Sequence, residues 1–170
     1  MINPDLRPIP IDLAELAHAL NSRLDENGFY LDTRTGDLLF LPLDLHDYDG
    51  ASEESIREEF GWQFTVEEEV VEAVRVVTDP KRFIAVEPVP TWQAFKVMEA
   101  FLKTVQQHEL SSQLARALEG RKPFRRFRDA LQNFESEQQR WDAFEAAAQK
   151  EQAVAWLAEH GLQPASPPEA

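Results

Sequence analysis

The chain has 170 residues and no cysteine, so disulfide staples and thiolate chemistry are excluded. Its 43% hydrophobic content excludes wholesale disorder, and no run approaches the roughly 20 apolar residues that cross a bilayer. The net charge is -14, carried by residues 1–79 with 19 acidic and 5 basic side chains, while residues 80–170 balance at 12 of each. The acidic half is repelled by phosphate and attracts basic partners; the plainer reading is that its glutamates line solvated helix faces. The N-terminal stretch lacks an apolar secretory core, so the cytosol (a cytoplasmic protein) is the expected location.

In chain order, Leu13, Leu16, Ala17, Leu20 and Leu24 recur at helical spacing and predict a helix over 12–24, capped by Asp12 with Glu15. Two apolar runs around Thr33-Arg34-Thr35-Gly36 predict a hairpin, with strands near 28–32 and 37–41. Residues 43–52 read as a loop, after which Ser52 caps a short acidic helix over 53–60. Residues 66–77 are rich in valine, yet Glu67, Glu68 and Glu69 suit the positive end of a helix dipole, so a helix is expected.

Beyond Asp79-Pro80, Phe83–Glu87 reads as a third strand. The rest reads as helical: one helix capped by Thr91, one starting at Ser111 or Ser112 and ended by Gly120, one opened by Pro123 over 123–133, and one from a Ser136/Gln139 capping box towards Gly161. The expected fold is α+β, a small antiparallel sheet of about three strands (hairpin 28–41 plus strand 83–87) packed with helices, with an all-helical C-terminal half. One domain is expected over 1–162, with a disordered proline-rich tail over 163–170.

The densest feature is Gly120-Arg-Lys-Pro-Phe-Arg-Arg-Phe-Arg-Asp-Ala-Leu131. On a helix from Pro123, the residues Phe124, Phe127, Leu131 and Phe134 share the side that faces a core. Arg121, Arg125 and Arg128 line one flank, with Lys122 and Arg126 beside them. Guanidinium forks suit carboxylates and phosphates equally. These five basic residues are the candidate partner- or anion-binding site; alternatively they pair with the acidic half of the same chain or stay solvated.

Other chemistry is thinly represented. The segment Asp44–Gly50 lacks both anchor ligands of an EF-hand loop, and His18, His46, His108 and His160 are scattered, so no metal is expected. No phosphate-binding glycine loop or nucleophile elbow is present, so no cofactor and no catalytic residue are expected. Asp32 and Asp37 flank the hairpin turn, where hydrogen bonds to turn amides explain Asp32 better than acid–base work. Trp62, Trp92, Trp141 and Trp156 are expected mainly in the core, with Trp62 the one whose setting also suits docking of a partner.

Several pieces together resemble a bacterial group, uncharacterised protein family 158 of the UPF series. They are Phe29–Asp37, Asp79–Val86, Met98 with Phe101, Leu114–Gly120 running into Pro123–Leu131, and Trp141 followed by Trp156-Leu157 and Gly161. The resemblance spans residues 27–163 and implies a shared fold, without an activity. The functional expectation is a non-enzymatic binding or regulatory domain that contacts a macromolecular partner through the basic helix. A protein partner is expected first and nucleic acid second, with no membrane role. The alternative is an enzyme or sensor that holds a small anion on the same arginines, with Asp32 or Glu87 as base.

Overall fold

A computed structural model describes residues 3–165. It contains strands β1 (Arg7–Ile9), β2 (Asn27–Asp32), β3 (Leu38–Pro42), β4 (Phe83–Val86) and β5 (Leu162–Pro164), and helices α1 (Leu13–Leu20), α2 (Glu53–Phe60), α3 (Glu67–Thr78), α4 (Thr91–Leu102), α5 (His108–Glu119), α6 (Pro123–Leu131) and α7 (Glu135–Glu159). The fold is α+β. The chain divides into two compact units: residues 1–88 with 152–170, and residues 89–151. Charge follows that division. The 89–151 unit carries ten basic and nine acidic side chains, net +1, and the other unit seven and 22, net -15.

In the first unit β2 pairs antiparallel with β3 on one side and β4 on the other. Pro42 closes β3, an edge strand, where its missing N–H costs no ladder bond. The α3 helix forms as expected because Val70, Val76 and Val77 fall on one buried face while three glutamates occupy the first turn. That face packs with Ile56 and Phe60 of α2 and with Tyr30, Leu41 and Phe83 of the sheet. Tyr30 pins the hairpin to the segment after β3: its buried hydroxyl donates to Pro42 O at 2.7 Å and accepts from Leu45 N at 3.1 Å. Burial pushes the Tyr30 hydroxyl up to about 12, so it stays protonated and keeps donating.

Several boundaries differ from the sequence expectation. Helix α1 stops at Leu20 rather than 24, because the Asn21 side chain and amide both return to Ala17 O, and Leu24 is left exposed. Pro90, not Thr91, takes the extended cap geometry before α4. Gln107 does the same for α5, which starts at His108 ahead of Ser111 and Ser112. Helix α7 begins at Glu135, before the Ser136/Gln139 pair, and runs unbroken for 25 residues. Gly161 then adopts φ +74, the left-handed geometry that ends helices.

Two residues expected in a disordered tail, Gln163 and Pro164, are ordered in a strand. This strand, β5, pairs in parallel with β1, Arg7 opposite Leu162 and Ile9 opposite Pro164. Gln163 is buried and fully satisfied: its Oε1 accepts from Asn3 N, and its Nε2 donates to Asn3 O and Leu6 O, all at 2.8 Å. The remaining tail, 166–170, lies outside the described residues.

The 89–151 unit has its own core around Phe101, which meets Phe127, Trp141 and Phe144 edge-on with ring centroids 6.2, 5.2 and 5.4 Å away. Trp141 is buried, but Trp62 and Trp92 are 71% and 56% exposed, against the expectation that they fill cores.

Candidate functional site

The basic segment folds as its sequence implies. Gly120 ends α5, Lys122 takes the cap position of α6, and Pro123 supplies the first helical residue. Phe127 and Leu131 are fully buried, with Phe124 and Phe134 packed against the same core. The phenylalanines are therefore anchors, not an exposed stacking platform. All five candidate residues, Arg121, Lys122, Arg125, Arg126 and Arg128, are exposed.

Their electrostatic surroundings are unusual in three ways. First, the ion pair they form among the described residues is Arg125 with Asp129 on the same helix, at 3.9 Å between two exposed side chains. Elsewhere the fold pairs its arginines closely: Arg82 with Asp32, Arg140 with Glu137, Arg57 with Glu53 and Glu67. Second, Arg125 and Arg126 sit in the first turns of α6, where the helix dipole is positive, with no acid in the first turn and no side chain capping the amides. Cations there are opposed by the dipole, and an anion would be favoured. Third, Lys122 has φ +52, a left-handed conformation that costs a residue with a side chain about 1–2 kcal/mol. The preceding Gly120 leaves room for the Arg126 guanidinium: a Cβ on Gly120 would lie 1.8 Å from Arg126 Nη1.

Beside this surface, α6 and α7 enclose a cleft of about 320 Å³ lined by Arg128, Gln132, Gln138, Trp141, Asp142 and Glu145 among others. Burial raises the Glu145 carboxyl above the ordinary range, Arg128 opposes that, and Asp142 adds to it. A small anion entering the cleft meets two carboxylates, so the cleft itself does not suit an anion pocket.

Asp32, the other residue considered for chemistry, is a structural acid. It is 3% exposed, and its Oδ1 accepts from the Arg34 and Thr35 amides at 2.9 and 3.4 Å, as the turn reading expected. Arg82, which sequence reasoning missed, grips both oxygens through Nε and Nη2 at 2.8 and 2.7 Å. Burial alone would raise this carboxyl. The Arg82 fork and the turn hydrogen bonds outweigh it and hold Asp32 at about 2. A carboxylate this acidic and this fully engaged is unsuited to take a proton near neutral pH. His46 is likewise occupied, bonding Asp49 Oδ1 and Phe83 O at 2.9 Å each and so tying the 43–52 segment to β4.

The profile of an uncharacterised protein family, UPF0158, matches residues 64–168, well over half of the chain. The chain belongs to this family. A UPF0158 protein of Pseudomonas aeruginosa, PA5073, is 27% identical over 161 residues, which cover 95% of this chain and 90% of that relative. The UPF0158 match contains α3 through β5, and with them the whole basic segment. No solved structure gives a significant match.

Proposed function

We propose that the 89–151 unit is a docking module that presents α6 to an anionic macromolecule, a protein with an acidic surface in the first place. The observation that carries this reading is a set of exposed cations of which two, Arg125 and Arg126, stand where the helix dipole disfavours them, while Arg128 in the last turn is the one it favours. Arg121, Lys122 and Arg126 form no ion pair among the described residues, and Arg125 and Arg126 lie at the positive end of the dipole. Stability alone would select the opposite charge at these sites. A carboxylate-rich partner removes the repulsion and uses the guanidinium forks. The anchoring phenylalanines fix the helix backbone, so the ordering entropy that opposes binding is that of the basic side chains alone.

The test is capture of partners by the tagged protein from its own lysate, with and without nuclease, in parallel with an Arg121→Glu/Arg125→Glu/Arg128→Glu variant. A protein retained after nuclease treatment by the native chain and lost by the variant supports the reading. Retention that nuclease abolishes moves the partner to nucleic acid. Identical retention by both chains removes α6 from the interaction.

A further inference from the structure

We propose a second docking surface, on the other unit and independent of α6: the corner between α2 and α3 receives an arginine-rich protein segment. Trp62 stands at this corner, 71% exposed, and its Nε1 donates to Glu59 O at 3.2 Å, which holds the indole at the end of α2. Val66, 53% exposed, lines a groove of about 270 Å³ with Gly61, Phe64, Thr65 and Val70, and the Arg57–Glu67 ion pair forms its polar wall, so the charge of Arg57 is already neutralised there. The corner is built tightly. A Cβ on Gly61 would lie 2.3 Å from Arg57 O, and the Thr65 amide donates to Glu69 Oε2 at 2.6 Å.

Charge names the occupant. Seven glutamates lie between residues 53 and 69, against a single basic residue, Arg57. Arg57 is already held between Glu53 and Glu67, so the segment 53–69 has no further basic residue of its own for the other five glutamates. An exposed indole in a segment this rich in glutamate is a surface that a guanidinium matches twice, stacking on the ring and bonding carboxylates of the segment with its fork. An ammonium gains the Coulomb attraction with less of the stacking. Tryptophan and arginine are also the residues that dominate interface energetics. A second copy of the chain could offer its own α6 arginines, but two molecules of -14 repel at long range, so a separate basic segment is the favoured occupant and self-association is an outcome of the test. Trp92 supplies the internal contrast: it is exposed too, but Lys96 Nζ already sits 4.9 Å over its ring.

The experiment is fluorescence anisotropy of labelled nona-arginine and nona-lysine against the native chain, Trp62→Ala and Trp92→Ala at about 0.15 M salt, where exposed charges are screened as in cells. Native protein binds nona-arginine more tightly than nona-lysine. Trp62→Ala weakens nona-arginine by about three- to fivefold, the worth of one exposed cation–π contact, and erases the preference. Trp92→Ala matches the native chain. Equal binding by Trp62→Ala and the native chain overturns the proposal, as does equal loss in both variants. Sedimentation of the native chain and Trp62→Ala without peptide adds a third check: self-association that the substitution abolishes would make a second copy the occupant and refute the stated one. Both tryptophans are exposed, so far-UV circular dichroism is expected to be unchanged.

Discussion

Asp32 shows how one side chain can be legible and illegible at once. Its bonds to the Arg34 and Thr35 amides are local and follow from an aspartate at a turn. Its ion pair with Arg82 spans 50 residues, and no spacing rule announces it. Breaking such a buried pair leaves a desolvated charge, so Asp32→Ala is expected to cost about 3 kcal/mol in urea unfolding at pH 7. The pH dependence follows from the direction of the shift. The folded carboxyl titrates near 2 against an ordinary 3.8, so its contribution is complete above the unfolded value and fades as pH falls towards 2. The gap between native and Asp32→Ala should therefore shrink by about 2 kcal/mol between pH 5 and pH 2. Gly36 is bound to its position more rigidly. It has φ +81, and a Cβ there would fall 1.5 Å from Pro10 O, so Gly36→Ala combines strain with a backbone clash. A loss of at least ~2 kcal/mol is expected in the same assay. Lys122 runs the other way. Glycine relieves its left-handed strain and gives back part of that in chain entropy, so Lys122→Gly should stabilise the protein by about 0.5–1 kcal/mol. A stability gain accompanied by weaker partner capture would mark this lysine as retained for binding.

At the scale of elements, α6 makes a prediction that separates function from folding. Arg125→Glu and Arg126→Glu place acids where the dipole favours them, worth about 0.3–1 kcal/mol per site, against about 0.2–0.5 kcal/mol for turning the exposed Arg125–Asp129 pair into like charges, so the double variant should melt no lower than the native chain. Lost capture with a retained melting temperature assigns the arginines to binding; a lowered melting temperature makes them structural. The helices and the hairpin were readable because each writes its pattern within a dozen residues: the phenylalanine spacing of α6, the valine face of α3, the glycine at the hairpin turn. Strands β1 and β5 were not readable. They are three residues long, contain Pro8 and Pro164, and exist only because distant segments meet in parallel. The buried amide of Gln163 is the bond that a polar, proline-rich tail concealed. Gln163→Ala removes the bonds to the Asn3 amide and to the Asn3 and Leu6 carbonyls, which water can partly replace, and about 1 kcal/mol of stability should go with it, measurable by urea unfolding. The exposure of Trp92 was equally hidden, since it falls on the apolar stripe of α4, whereas Trp62, between two acidic helices, was the tryptophan whose setting already suggested exposure.

For the molecule as a whole, charge is sorted by unit: -15 on one and +1 on the other. The net charge of a chain conceals such sorting, and a linear division into halves shows it in part. The two proposed surfaces seek partners of opposite sign, and both contacts weaken as salt screens them. The discontinuity of the first unit has a consequence for how the protein is made. Residues 89–151 are a continuous stretch, and every one of them leaves the ribosome before residue 152 does. The first unit starts earlier and finishes later, for β1 emerges well ahead of residue 89 and its partner is the strand at 162–164. During synthesis β1 (Arg7–Ile9) therefore waits without its partner strand while the rest of the protein is threaded out behind it. Of the described residues, the earliest to be born are among the last to be finished.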